Sequence, residues 1–152
     1  MRCLELFTGA GGLAMGIGAA GFQHAGLVEF NHDACETMRH NARRERNPLH
    51  GWPIVEGDTR DIGDFGAMFP RVRLVAGGPP CQPFSIGGKA RGPKDRRDMF
   101  PEAVRAVRQT QPLAFIFENV KGLLRRSFAE YFGYVFLQLN YPTVVRRSPC
   151  RH

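Results

Sequence analysis

Short apolar runs alternate with amphipathic stretches along most of the chain. Residues 3–7, 26–30, 53–56, 72–76 and 113–117 each read as a strand, and the last is the most apolar. Between the first two, residues 12–20 are rich in Gly and Ala and predict a close-packed helix. Residues 33–46 predict a second helix, with Asp33 as its N-cap and Asn47-Pro48 as its stop. Residues 99–109 predict an amphipathic third, with Pro101 in its first turn. Strands separated by helices imply βαβ units and a parallel sheet covered on both faces. The expected class is therefore α/β.

The last part of the chain is less regular. Residues 128–139 are rich in aromatic side chains and suit a helix or a strand. The tail from Thr143 has no pattern that closes an element. The pattern divides the chain into a core over residues 1–125 and an irregular segment over residues 126–152.

Length and composition narrow the class further. A chain of 152 residues suits one domain. No apolar run approaches the roughly 20 residues a membrane span needs. The start, Met1-Arg2-Cys3-Leu4-Glu5, holds an acid within its apolar run and leads into Gly-rich sequence, so it does not read as a signal peptide. Four cysteines, Cys3, Cys35, Cys81 and Cys150, stand far apart without metal-ligand spacing. Reduced thiols, no metal and a cytoplasmic location are expected. The formal net charge of +7 suggests a polyanionic partner, with nucleic acid the first candidate. Much of that charge is local: residues 89–98 carry Lys89, Arg91, Lys94, Arg96 and Arg97 against Asp95 and Asp98.

Candidate chemistry lies at the strand ends. Phe7-Thr8-Gly9-Ala10-Gly11-Gly12-Leu13-Ala14 follows the first strand, and Gly9, Gly11 and Ala14 satisfy a G-x-G-x-x-G/A spacing. Glycines there let the backbone turn tightly and approach a ligand. Glu29 ends the second strand and stands where an acid accepts hydrogen bonds from ribose hydroxyls. Asp58 ends the third strand and is placed to accept from an adenine amino group. These features suit a nucleoside-containing cofactor, either a nicotinamide dinucleotide or S-adenosylmethionine.

The fourth strand runs into Gly77-Gly78-Pro79-Pro80-Cys81-Gln82. Proline fixes φ and restricts its predecessor, so paired prolines hold the following cysteine in one direction. Cys81 is a candidate nucleophile. Glu118-Asn119-Val120 follows the fifth strand, directly after Phe115-Ile116-Phe117. Apolar surroundings are expected there, and desolvation favours a protonated carboxyl. A thiol and an acid at the ends of neighbouring strands form a nucleophile and proton-donor pair.

Together these residues resemble the cytosine-5 DNA methyltransferase family. Phe7-Thr8-Gly9-Ala10-Gly11-Gly12 is similar to its first motif, and Glu29, followed by Asp33 and Ala34, to its ribose-binding acid. Gly57-Asp58-Thr59-Arg60-Asp61 is similar to the third motif. Gly78-Pro79-Pro80-Cys81-Gln82-Pro83-Phe84-Ser85 closely matches the nucleophile motif, and Glu118-Asn119-Val120 the acid motif. Arg97-Asp98-Met99-Phe100 resembles the motif between them, with Asp98 in place of a glycine common in the family.

The resemblance implies a Rossmann-like fold, S-adenosyl-L-methionine as cofactor, and methyl transfer to carbon 5 of a flipped-out cytosine in DNA, in a restriction–modification setting. It implies Cys81 and Glu118 as catalytic residues. Phe7, Gly9, Gly11, Gly12, Leu13, Glu29, Asp58 and Pro80 are implied for the cofactor. A mobile loop over residues 85–97 is implied to meet DNA through Ser85, Lys89, Arg91 and Arg97. A transfer-RNA-directed branch of the family shares these motifs. The family's later Gln-Arg-x-Arg-like motif, target-recognition domain and closing motifs are not found; Arg146-Arg147 lacks the flanking residues of the arginine motif. The expectation is a catalytic half with its sheet incomplete at the C-terminal side, with an inactive truncated fragment or one half of a split enzyme completed by a second polypeptide as the alternatives.

Overall fold

The computed structural model describes residues 1–44, 50–80 and 98–144. Five parallel strands form one sheet in the order β3-β2-β1-β4-β5. They are β1 (Arg2–Leu6), β2 (Gln23–Glu29), β3 (Ile54–Glu56), β4 (Val72–Gly77) and β5 (Ala114–Phe117). The helices are α1 (Gly12–Ala19), α2 (His32–Ala42), α3 (Phe65–Met68), α4 (Phe100–Thr110) and α5 (Ala129–Asn140). Single 3-10 turns occupy Thr59–Asp61, Lys121–Leu124 and Arg126–Phe128.

Alternation along the strands sorts their side chains to two faces. Leu4, Leu6, Val28 and Val75 join the core formed with α3, α4 and α5, where Phe65, Phe100, Val104, Val107, Val135 and Leu139 are buried. Cys3, Leu74 and Ala76 pack against Ile17 of α1 on the other face, and Leu27 packs with Ala14, Cys35 and Met38. The expected βαβ architecture is present. The strand order reverses between β1 and β4, and in open α/β sheets ligands bind beyond the carboxyl ends at such a switch point. Gly77 is required there for close approach: a Cβ would stand 2.2 Å from the Leu6 carbonyl oxygen.

Several expectations need correction. The N-cap of α2 is Asn31, whose side chain accepts from the Ala34 amide; Asp33 lies in the first turn. Residues 126–144 are not irregular. Helix α5 packs on α4, and Phe128, Val135 and Leu139 are buried in the shared core. The aromatic run resolves as a helix because its apolar residues recur every three to four positions on the buried side. Strand β5, the most apolar in sequence, is the edge of the described sheet and is covered on one face only. Phe115 and Phe117 pack inward, whereas Leu113 is 72% exposed and Ile116 is 50% exposed.

Candidate active site

A cleft of ≈ 500 Å³ opens at the carboxyl ends of β1, β2, β3 and β4. Phe7, Glu29, Asp58 and Pro80, all expected from sequence, line it. Residue Phe7 ends β1 at φ 55°, a left-handed conformation that costs a non-glycine residue about 1–2 kcal/mol. Such strain concentrates at functional turns. Gly9 (φ 57°) and Gly11 (φ 91°) continue the turn, and Gly11 caps α1.

Glu29 ties this turn to β2. Its Oε2 accepts from the Gly9 amide at 2.7 Å, and its Oε1 accepts from the Asn31 amide at 2.7 Å. A carboxylate offers about four lone-pair positions, so one acceptor direction remains on each oxygen. That pair suits a vicinal diol. Asp58 is more committed. Its carboxylate accepts from the Arg60 backbone amide and from the Arg60 guanidinium, which holds it below the usual carboxylate range. These contacts place two donors on each oxygen, so a ligand amine reaches Asp58 by displacing part of the Arg60 guanidinium.

Gly9, Gly11, Gly12 and Leu13 do not line the cleft; they build the turn and helix start beside it. The Leu13 side chain packs against the core around Cys3, Ile17, Leu74 and Ala76. Sequence reasoning missed Phe30, Asn31, Gly78, Arg60 and Met99 as cleft residues. Phe30 is the most telling of these: a large aromatic, 74% exposed, directly after the strand-ending acid. An apolar residue between that acid and an Asn cap was a readable signal.

The acid end is built by β4 and β5. The Glu118 amide donates to the Gly77 carbonyl at 3.0 Å, extending the ladder past the last strand residue. Asn119 Nδ2 donates to the Pro79 carbonyl at 2.8 Å, and Asn119 Oδ1 accepts from the Val120 amide at 3.0 Å. A Cβ at Gly78 would stand 3.6 Å from Glu118 Oε2, so the carboxylate lies over the cleft-lining glycine. The apolar surroundings expected for Glu118 are not found among the described residues: it is exposed, at the edge of the described sheet.

Cys81 lies outside the described residues, as do Ser85, Lys89, Arg91 and Arg97. Cys3 and Cys35 are buried in the core, and burial pushes the Cys3 thiol up to about 12, with Glu5 adding to the rise. A thiol of that kind is protonated and inert at neutral pH. Among the described residues no group of His, Cys, Asp and Glu is placed to hold a metal ion, and no helix is long and apolar enough to cross a membrane.

The family model for C-5 cytosine-specific DNA methylases matches residues 1–141. The chain belongs to that family. It is 42% identical over 141 residues to the type II methyltransferase M.NgoMIV of Neisseria gonorrhoeae, covering 91% of this chain and 42% of the relative. The type II methyltransferase M.NaeI of Lentzea aerocolonigenes is 38% identical over 141 residues, with 92% and 32% covered. A solved chain described as a prophage-encoded DNA modification methyltransferase of E. coli superposes with a TM-score of 0.70 at 27% identity, covering 92% of this chain and 38% of that one. The chain thus spans less than half the length of each of these three relatives. Its fold is that of the S-adenosylmethionine-dependent methyltransferases.

Proposed function

We propose that this chain is the cofactor-binding and catalytic part of a DNA cytosine-5 methyltransferase of restriction–modification type, acting in the bacterial cytosol. The observation that carries the reading is the seating of Glu118 and Asn119 against Gly77, Gly78 and Pro79. It joins the acid motif to the backbone leading into Cys81, at the wall of the Glu29 cleft.

The residues present fit S-adenosyl-L-methionine. The cleft volume lies within the ~300–1,000 Å³ usual for small-molecule sites. The two spare acceptor directions of Glu29 suit the ribose hydroxyls, and the exposed Phe30 ring offers a face to a purine. Asp58 suits the exocyclic amine once the exposed Arg60 side chain yields a contact to it. When bound, the cofactor supplies an electrophilic methyl group.

Carbon 5 of cytosine is a poor nucleophile within an aromatic ring. The Cys81 thiolate adds to carbon 6, and Glu118 donates a proton or hydrogen bond to ring nitrogen 3, stabilising the charge that develops. Carbon 5 gains enamine character and would accept the methyl group, the methyl–sulfur bond of the cofactor breaking to leave a neutral thioether. Transfer of the carbon-5 proton to a solvent water and expulsion of Cys81 as the thiolate then restore the ring. The base must leave the duplex stack first. A second polypeptide, or further chain, supplies the target-recognition surface.

The test is transfer of a tritiated methyl group from S-adenosylmethionine to mixed-sequence DNA by the purified chain, with Cys81→Ala as control. Cys81-dependent incorporation supports the reading. Incorporation equal in both proteins overturns the assignment of the nucleophile.

A further inference from the structure

Immediately past Glu118-Asn119-Val120 the backbone makes two consecutive 3-10 turns, Lys121–Leu124 and Arg126–Phe128. The Leu123 amide donates to the Val120 carbonyl at 3.0 Å, and the Phe128 amide to the Arg125 carbonyl at 2.9 Å. Each turn sends one apolar residue into the core: Leu123 is 5% exposed and Phe128 is 7% exposed. The turns are therefore anchored from below. What they leave on the surface is cationic. Lys121 and Arg126 are exposed, and Arg125 is half-buried. Lys121, Gly122, Leu124 and Arg125 line an open pocket of ≈ 370 Å³.

These cations stand outside the ion pairs of the described residues, as do Arg2, Arg43, Arg71, Arg73 and Arg108, but only here do three fall within six residues of chain. Arg39 is paired with Glu36 and Glu56, Arg60 with Asp58, and Arg105 with Glu102. Lys121, Arg125 and Arg126 make no ion pair among the described residues. Three cations within six residues, without a carboxylate partner among the described residues, raise the local positive potential and so attract an anion. The Asn119–Pro79 hydrogen bond fixes this turn relative to the backbone that enters Cys81.

We infer that Lys121, Arg125 and Arg126 form a binding site for the phosphodiester backbone of the DNA strand that carries the reacting cytosine. The site begins three residues after Glu118 in the chain, so phosphates held there are placed to flank the base presented to the carboxylate. Exposed Leu124 adds apolar contact for a deoxyribose. This rests on the methyltransferase reading and extends it to residues outside the expected 85–97 loop. Phosphate contacts of this kind position the duplex and carry no base sequence information.

The experiment is duplex binding by fluorescence anisotropy over a KCl series, using a mixed-sequence DNA duplex and, separately, transfer RNA. Each phosphate neutralised contributes about −0.9 to the slope of log K against log salt for B-DNA. The Lys121→Gln/Arg125→Gln/Arg126→Gln protein is expected to lose roughly 2 to 3 from that slope, and Lys121→Gln/Arg126→Gln, which spares the half-buried position, roughly 2. Arg43→Gln, at the C-cap of α2, is the control and is expected to leave the slope intact. Unchanged slopes in both multiple variants, with S-adenosylmethionine binding retained, overturn the site. A slope loss seen with transfer RNA and not with DNA overturns the DNA assignment. Loss of slope on DNA in variants of a parent that shows no Cys81-dependent methyl transfer keeps the phosphate site and removes the catalytic reading.

Discussion

The Asn119 side-chain amide donates to the Pro79 carbonyl at 2.8 Å, linking positions 40 residues apart in sequence. Pro79 has no amide hydrogen of its own and its neighbour Pro80 has none either, so this stretch of backbone receives no ladder hydrogen bond from its own donors. The side chain of the acid motif supplies a tether in their place. It holds the residue after Glu118 and the residue two before Cys81 at one distance.

Asn119→Ala removes that tether. A half-buried hydrogen bond of this kind contributes about 1 kcal/mol. Capture of DNA carrying 5-fluorocytosine should slow by about tenfold, with S-adenosylmethionine affinity unchanged. Equal rates of adduct formation on denaturing gels would show that the tether is structural only.

Glu29 already serves two backbone amides, and the cofactor reading needs its remaining lone pairs. Glu29→Ala should weaken S-adenosylmethionine binding by about 1–3 kcal/mol, measured by titration calorimetry. Unaltered affinity would refute the ribose assignment.

Cys81→Ser should abolish the covalent adduct with 5-fluorocytosine DNA. Cys3→Ser should leave it intact, since the Cys3 thiol is buried in the core and pushed up to about 12. A persisting adduct in the Cys81 variant would sink the nucleophile assignment.

Tyr131 of α5 donates its hydroxyl to the Asp98 carboxylate, and Asp98 also accepts from the Phe100 amide at the start of α4. The Tyr131 ring meets Phe100 edge-on at 6.4 Å. Tyr131→Phe keeps the ring and loses the bond to a charged group, a loss of about 1.5–3 kcal/mol. Urea unfolding should show a lower midpoint with an unchanged m-value.

Glu5 is fully buried on β1, and neither carboxyl oxygen has a hydrogen-bond partner of normal geometry. Burial pushes its pKa up from 4.5 to about 8, and the Ala14 amide opposes the rise. Below about pH 4.5 the folded and unfolded chains both hold the proton, and the contribution of this group is fully present. As pH climbs toward 8 the unfolded chain has released its proton and the folded chain has not, so stability falls with rising pH. Glu5→Gln stays neutral throughout. The wild type should lose more stability than the variant between about pH 5 and about pH 8 in paired urea titrations. Parallel losses in the two proteins would contradict a neutral Glu5.

Much of this site was readable before any coordinates. Glu29, Asp58 and Pro80 line the cleft because strand-ending residues of a parallel sheet converge at its carboxyl edge, and the strand ends were visible in the apolar runs. The turn at Phe7 to Gly11 was visible in its glycines. The environment of Glu118 was not. An apolar run such as Phe115-Ile116-Phe117 signals burial, and whether both faces are covered depends on what packs against the strand. Helix α5 was equally ambiguous, since its aromatic residues suit either secondary structure until α4 offers a face to pack on.

The sequence by itself determined the order of strands and helices, the glycine turn, the nucleophile and acid motifs, and so the family. These are local properties, written in runs of a few residues. Tertiary structure alone decided the Glu29 bridge to Gly9, the Asn119 bridge to Pro79, the Tyr131 link to Asp98, and the exposed cations beyond Glu118. Those depend on groups 20 to 40 residues apart meeting within hydrogen-bond distance, and on which charges are left without a partner. Distances of that kind are set by the packing of the sheet against its helices, and no local pattern encodes them.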